Sequence, residues 1–333
     1  MADKLRWGLL STAGINRAVI EPIRAARRSE LVAVASRDGG RARTYAAERG
    51  IPRAFGSYEE MLADPQIDAV YVSLPNSLHA EWTVKALEAG KHVLCEKPMT
   101  VTLEELDRVE RAAARSGRTV FEAFMYLHHP QTRRLGELVA GGEIGALQLV
   151  SSNFSFYLPA DKAANIRLRP DVSGGSLWDV GVYPVSLSVF LNGARAPEAV
   201  WAQATRGESG VDVSVRAQMR LRAGSDAQVF VGFRAPSMHS AFVVGESGRI
   251  TIGEPWKPAI DGAPSRLTIA PVSGPERHID FPQRNPYLCE IEAMEACALD
   301  GARPVVPLSL SREILKTVLA LYRSAETGGV VTP

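Results

Sequence analysis

Up to about Phe124 the chain alternates short apolar runs with stretches of helical period, the pattern of a parallel sheet whose strands are covered on both faces. The runs are Leu5 to Leu10, Leu31 to Ala35, Ala69 to Leu74, His92 to Cys95 and Thr119 to Phe124. They are continuous rather than alternating, as strands buried on both sides require. Between them, Ser57 with Glu60 and Thr102 with Glu105 have capping-box spacing, and Leu103, Leu106, Val109 and Ala113 recur at near-helical intervals. From about Gly145 the period becomes two, in Gln148 to Phe156, Val211 to Leu221, Gln228 to Phe233 and Ala241 to Val244. That change predicts a large, mostly antiparallel open sheet. Leu310, Ile314 and Val318, with Leu315, Leu319 and Tyr322, predict an amphipathic final helix behind Pro307 and Ser309. The expected fold is a doubly wound α/β domain over 1–124 followed by an α+β domain over 125–333.

The length of 333 residues agrees with two domains, since single cores stop growing at about 250 to 300 residues. Thirty-eight basic residues against thirty-seven acidic ones set up no net field for nucleic acid or an anionic membrane, and neither is expected as a partner. Three cysteines, Cys95, Cys289 and Cys297, form no Cys-x-x-Cys pair, and an odd count argues against a disulfide framework. The first residues lack the apolar region of a signal peptide, and no window approaches the roughly 18 apolar residues of a membrane span, so a cytoplasmic protein is expected. An antiparallel sheet with an apolar free face is a common subunit contact, which leads to the expectation of a homodimer or homotetramer through the second domain.

The turn after the first run reads Gly8-Leu9-Leu10-Ser11-Thr12-Ala13-Gly14-Ile15-Asn16, at the place where a dinucleotide-binding Rossmann domain carries G-x-G-x-x-G. Small residues Ser11 and Ala13 stand where glycines would admit the pyrophosphate, and Ser11, Thr12, Ala13 and Ile15 become candidate contacts at a helix start. Taken alone the turn is equally readable as a plain strand-turn-helix. The second run ends Ala35-Ser36-Arg37-Asp38 rather than in the single acid that holds a ribose 2′-hydroxyl. A hydroxyl plus guanidinium suits a 2′-phosphate, and Arg41, one turn on, can close the same pocket, so NADP is the expected cofactor. Asp38 keeps NAD as the alternative, and either arginine taken alone reads rather as a solvated surface charge. The fourth strand ends Leu74-Pro75-Asn76-Ser77-Leu78-His79, which places Leu74, Pro75, Asn76 and His79 at the ligand-binding edge, with helix capping as the competing role of Asn76.

The fifth strand ends Cys95-Glu96-Lys97-Pro98, delivering Glu96 and Lys97 to that edge, and farther on lies Gly174-Gly175-Ser176-Leu177-Trp178-Asp179-Val180-Gly181-Val182-Tyr183. Together with the Pro75-Asn76 turn these segments resemble the glucose-fructose oxidoreductase, inositol dehydrogenase and rhizopine-catabolism (Gfo/Idh/MocA) family, along the chain from first strand to last helix. Tyrosine at the final position of the second motif looks like the branch of dihydrodiol dehydrogenases and NADP-linked xylose dehydrogenases. The resemblance implies hydride transfer between a nicotinamide and a carbinol or carbonyl carbon of a sugar or cyclic diol. It also implies a cis Lys97-Pro98 peptide. Asp179 and Tyr183, spaced i and i+4, would share one helix face. In that reading Tyr183 is the proton acceptor or donor, Lys97 polarises and exchanges the proton, and Asp179 orients the substrate hydroxyl or Lys97; the Lys97 and Tyr183 roles are interchangeable at this stage.

Substrate contacts in the family come from the second domain and the segment Glu122 to Pro130, where His128-His129-Pro130 resembles sugar 3-ketoreductases. His128 is therefore a candidate contact, and Phe156, Arg169 and Trp256 join it because aromatic faces and a guanidinium suit polyhydroxylated rings. Two adjacent histidines lack a third ligand at a recognisable spacing, so no metal is expected. Keto-sugar reduction is the alternative activity, and a non-catalytic NAD(P)-binding regulator is the alternative of another class, against which Lys97, Asp179 and Tyr183 together argue.

Overall fold

The computed structural model describes residues 4–162, 164–260 and 262–333. Its first sheet is formed by β1 (Leu5–Leu10), β2 (Ser29–Ala35), β3 (Arg53–Phe55), β4 (Ala69–Val72), β5 (His92–Cys95) and β6 (Val120–Glu122). All neighbours run parallel, in the order β3-β2-β1-β4-β5-β6. Every residue of β4, β5 and β6 is buried, which is why these strands read as unbroken apolar runs. β3 is a half-exposed edge strand of three residues and has no such run to betray it.

The crossovers are α1 (Asn16–Ala25), α2 (Gly39–Glu48), α3 (Tyr58–Ala63), α4 (Asn76–Glu88) and α5 (Leu103–Ser116). Ser57 Oγ accepts from the Glu60 N–H at 3.0 Å and Thr102 Oγ1 from the Glu105 N–H at 3.1 Å, the first half of each expected capping box. The Glu105 carboxylate returns to the Val101 N–H at 2.8 Å, one residue earlier than a standard box would have it. α5 turns Leu106, Val109 and Ala112 inward. The strand order reverses between β1 and β4, so the carboxyl ends of those two strands flank the crevice where ligands bind in sheets of this kind.

Next come α6 (Met125–His128), α7 (Pro130–Ala140), β7 (Leu147–Tyr157), α8 (Val182–Leu191), β8 (Ala199–Arg206), β9 (Asp212–Arg220), β10 (Asp226–Gly232), β11 (Arg234–Gly245), β12 (Gly248–Ile252), β13 (Ser265–Pro271) and β14 (Arg277–Phe281). The eight strands order β14-β13-β12-β11-β7-β10-β9-β8, and only β10 with β7 is parallel among these pairs. The mostly antiparallel sheet expected from the period-two segments is present. β8, β12, β13 and β14 are additional to those segments; β13 buries only Leu267 and Ile269 as large apolar residues, too few to mark a strand by alternation. α8 is buried almost throughout and lies on β7 and β10.

Two compact units result: residues up to Met125 with Tyr287–Leu308, and Tyr126–Pro286 with Ser309–Pro333. A single cut after residue 124 has no place for the helix Pro286–Asp300, which returns to the first unit. There Arg28 ties it down, its N–H donating to Glu295 Oε1 at 2.9 Å and its guanidinium pairing with Asp300 at 2.6 Å. Cys95, Cys289 and Cys297 are all buried. Among the described residues no helix is long and apolar enough to cross a membrane.

Candidate active site

The turn after β1 is held in an unusual shape. Ser11 has φ +145, a backbone region that favours glycine, and it stands where the fingerprint would place one. The strain is held by local bonds: Ser11 Oγ lies 2.8 Å from Ser73 Oγ and 3.0 Å from the Ser73 carbonyl, and accepts from the Ala13 N–H at 3.1 Å. Asn16, fully buried, donates to the Ser11 carbonyl at 2.8 Å and accepts from Ser73 Oγ at 2.7 Å. Asn16 and Ser73 escaped the sequence reading because a buried polar pair carries no periodic signal. Thr12 and Ala13 are half-buried and Ile15 is exposed at the start of α1, whose first-turn amides carry the positive end of the helix dipole.

At the end of β2, Ser36 is buried and its hydroxyl accepts from the Asp38 N–H at 3.3 Å, while Arg37 and Arg41 are exposed. Asp38 caps α2, its Oδ1 accepting from the Arg41 N–H at 3.1 Å. The acid that kept NAD open is thus committed to a helix start. Tyr58 adds a group the sequence reading missed: burial raises its phenol above the ordinary value, and the charges of Arg37 and Arg41, with Arg37 within hydrogen-bonding reach, oppose that rise. Two guanidiniums, a phenol and a hydroxyl beside the start of a helix fit the charge and shape of a phosphate.

The turns after β4 and β5 are joined by His79. Fully buried, its Nδ1 lies 2.7 Å from the Pro98 carbonyl and its Nε2 2.6 Å from the Leu74 carbonyl. Burial drives the imidazole down to about 4, with Lys97 adding to that effect and the two carbonyls opposing it. His79, expected as a cofactor contact, is 1% exposed and bridges the two turns. Asn76 is the first residue of α4, with Pro75 in the flanking position.

Lys97 is half-buried, and the Lys97-Pro98 peptide is cis, as the family resemblance implies. Glu96 accepts from the Lys97 N–H at 3.2 Å and from the Tyr71 hydroxyl. Near it Glu290 is fully buried, and burial followed by the charge of Glu96 pushes its carboxyl well above the usual range. Tyr71 is raised in the same way, first by burial and then by Glu96. A cavity of about 760 Å³ opens at the opposite, amino-terminal edge of the sheet, lined by Lys4, Arg6, Lys91, His92 and Arg118 among others. It lies at the wrong end of the strands for the dinucleotide.

In the second unit the Gly174-Gly175 pair has a packing cause. A Cβ on Gly174 would sit 2.7 Å from the carbonyl oxygens of Arg167 and Arg169, and Gly175 has φ +129. The following segment, Leu177–Gly181, is a π-turn that runs into α8. Asp179 and Tyr183 therefore do not share a regular α-helical face: the wider turn places four residues just short of a full turn instead of just past it. π-turns inside helices concentrate at functional sites. Asp179 pairs with Arg167 at 2.6 Å, a partner the sequence reading did not find. The Tyr183 ring lies among Phe154 at 5.2 Å, Tyr126 at 5.8 Å and Trp256 at 6.1 Å between centroids, which fixes its direction.

The remaining candidates separate by exposure. Trp256 is fully buried, stacked on Phe154, donating to the Asn153 carbonyl at 2.8 Å and set edge-on to the Tyr183 ring. His128 is 5% exposed; burial, then Arg133, lowers it to about 3. His129 caps α7, its Nδ1 accepting from the Gln131 N–H at 3.2 Å. Arg169 is exposed and paired with Asp171, while Phe156 is half-buried with the Arg167 guanidinium 5.8 Å from its ring. Among the described residues no group of three or more His, Cys, Asp or Glu side chains is placed to hold a metal.

Comparison with known proteins bears on the whole chain. Residues 5–124 match the model of an oxidoreductase family with an NAD-binding Rossmann fold, and residues 132–251 match the GFO/IDH/MocA C-terminal domain. The chain is 40% identical to a D-xylose 1-dehydrogenase (NADP(+)) of Haloferax volcanii over 98% of this chain and 99% of that protein. It is 30% identical to a trans-1,2-dihydrobenzene-1,2-diol dehydrogenase of Bos taurus over 96% of each. Among solved structures, a 3-ketoreductase from Actinomadura kijaniata in complex with NADP and TDP-benzene superposes with a TM-score of 0.88 at 30% identity, covering 97% of this chain and 98% of that one. With the reversed strand order, the glycine-like Ser11 turn and the cis Lys97-Pro98 peptide already in place, these matches show that the chain belongs to the Gfo/Idh/MocA oxidoreductase family.

Proposed function

We propose that this protein is an NADP-dependent oxidoreductase that oxidises a carbinol carbon of a sugar or cyclic diol. The observation that carries the cofactor choice is the end of β2, where Arg37 and Arg41 are exposed beside Tyr58 while Asp38 is occupied in capping α2. The xylose dehydrogenase at 40% identity is NADP-linked, which supports the same choice.

The nicotinamide, when bound, supplies the hydride acceptor. In the proposed reaction the carbinol C–H bond breaks with its electron pair passing to the nicotinamide, and the hydroxyl proton passes to Tyr183 or Lys97. An ordinary tyrosine near pKa 10 or lysine near 10.4 is a poor base at neutral pH; a cationic lysine favours tyrosinate, and desolvation favours the neutral amine. Asp179, already charge-paired with Arg167, orients the substrate hydroxyl. That the 3-ketoreductase of Actinomadura kijaniata has been crystallised with lysine-to-alanine, lysine-to-glutamate and tyrosine-to-phenylalanine substitutions supports this pairing of residue types.

Reduction of a keto sugar is the second reading, favoured by the likeness to that 3-ketoreductase, and it uses the same groups in reverse. Screening purified protein with NADP and NAD against aldoses and cyclic diols, and with NADPH and NADH against nucleotide-linked keto sugars, by nicotinamide absorbance, decides between them; no turnover with any class would reject both. We further propose a cytoplasmic homo-oligomer whose subunits meet on the free face of the large sheet, where Asn153, Trp201, Arg216 and Phe230 line a hollow of about 440 Å³. A Trp201→Glu variant that keeps the wild-type mass in light scattering would reject that contact.

A further inference from the structure

The start of the π-turn is built in an indirect way. Ser176 occupies the backbone position of a helix cap, and a serine there ordinarily accepts from the first-turn amides. Its hydroxyl instead donates to Asp212 Oδ2 at 2.7 Å, and that same oxygen accepts the Leu177 N–H at 2.7 Å. Asp212, at the start of β9, thus supplies from a distant strand the cap that Ser176 leaves out. Its other oxygen accepts from the Tyr322 hydroxyl at 2.9 Å, from the final helix Leu308–Thr327. The carboxylate is 3% exposed, and three donors compensate the loss of water around it.

Two further observations tie this device to the proposed chemistry. A Cβ on Gly175 would fall 2.3 Å from Asp212 Oδ1 and 3.1 Å from the Tyr322 hydroxyl, so the glycine is required by the pair that sits against it. The Gly175 N–H donates to the Arg167 carbonyl at 2.9 Å, and the Arg167 side chain pairs with Asp179 at 2.6 Å. The turn is consequently clamped at its first residues by Asp212 and at Asp179 by Arg167, with one backbone bond linking the clamps.

We propose that Asp212 and Tyr322 are positioning residues that hold the π-turn Leu177–Gly181, and through it Asp179 and Tyr183, in the register the reaction needs. This rests on the catalytic roles given above to Asp179 and Tyr183. The test measures kcat, KM, the pH profile of kcat and the NADPH Kd for Tyr322→Phe and Asp212→Asn, with Tyr183→Phe alongside. Misplacement of reacting groups by about 1 Å costs on the order of a hundredfold, so kcat should fall roughly tenfold in Tyr322→Phe and roughly a hundredfold in Asp212→Asn. The pH profile should be displaced in both, and the NADPH Kd held within about twofold because the first unit is untouched. Loss of stability alone would leave the profile of the folded fraction where it was. Should Asp212→Asn fail to fold, Tyr322→Phe decides, since its ring keeps the packing on Trp178, 5.4 Å away. Wild-type kcat and pH profile in Tyr322→Phe would overturn the positioning role while leaving the catalytic one intact; wild-type turnover in Tyr183→Phe would overturn both.

Discussion

Replacing Arg37 by alanine isolates the element that distinguishes the two dinucleotides. Arg37 and Arg41 are both exposed, so their attraction for a 2′-phosphate is partly screened. Two unit charges at 4 Å attract by about 1 kcal/mol in bulk water and about 4 kcal/mol at the effective dielectric near a protein surface. A hydrogen bond to a charged group contributes about 1.5 to 3 kcal/mol. With Arg41, Tyr58 and Ser36 still present, the lower part of that range applies, about 1.5 to 2 kcal/mol, which is roughly a 10- to 30-fold rise in the NADPH Kd. NADH has no phosphate at that position and should bind within about twofold of wild type, because Asp38 remains on its helix cap. Fluorescence titration of both reduced dinucleotides at two ionic strengths checks this, and higher salt should weaken wild-type NADPH binding more than that of the variant. Equal losses for NADPH and NADH, or an unchanged NADPH Kd, would refute the assignment of this pocket to the phosphate.

Further outcomes follow from the same geometry. Lys97→Met should lower kcat by at least the roughly 10²- to 10⁴-fold that proton-transfer groups contribute, with NADPH still bound; a variant that turns over normally would remove Lys97 from the chemistry. Gly175→Ala forces a Cβ within 2.3 Å of Asp212 Oδ1 at a φ that favours glycine, and should destabilise the second unit by about 2 to 4 kcal/mol, read as a lowered Tm in calorimetry; an unchanged Tm would show that the turn can relax. His92, His128 and His129 are held by burial at about 4, about 3 and about 4, below the ordinary 6.5. Between those values the unfolded chain binds the more protons, so their stabilising effect is complete above about pH 6.5 and is lost as the pH falls toward 4. The slope reaches about 1.4 kcal/mol per pH unit for each histidine. A Tm that stays flat from pH 6.5 to 4.5 would contradict their burial.

Much of the first unit was legible in the sequence because its inner strands are buried on both faces and two of its helices, α3 and α5, begin with hydroxyl caps. Both marks are local: an unbroken run such as Tyr71-Val72, or Thr102 three residues before Glu105, needs no knowledge of the partner element. The edge strand β3 and the short outer strands of the second sheet were hidden for the complementary reason, since exposure or shortness leaves too few apolar positions to count. The Glu96-Lys97-Pro98 and Gly174-Gly175 segments stood out by residue type, and the resemblance they carry covers the family, the cis peptide and the kind of reaction.

What the tertiary structure alone decided is which partner each polar side chain takes. Asp38 caps a helix amide, His79 bridges two turns, and Trp256 sets its edge against the Tyr183 ring, none of which the order of residues announces. Arg167, Asp212 and Tyr322 came into view only with the fold, because hydrogen bonds and ion pairs reach across any separation in sequence and leave no period behind. Apolar burial writes itself into the order of residues through the repeat of each element, whereas a charged group declares its role only when its neighbours are known.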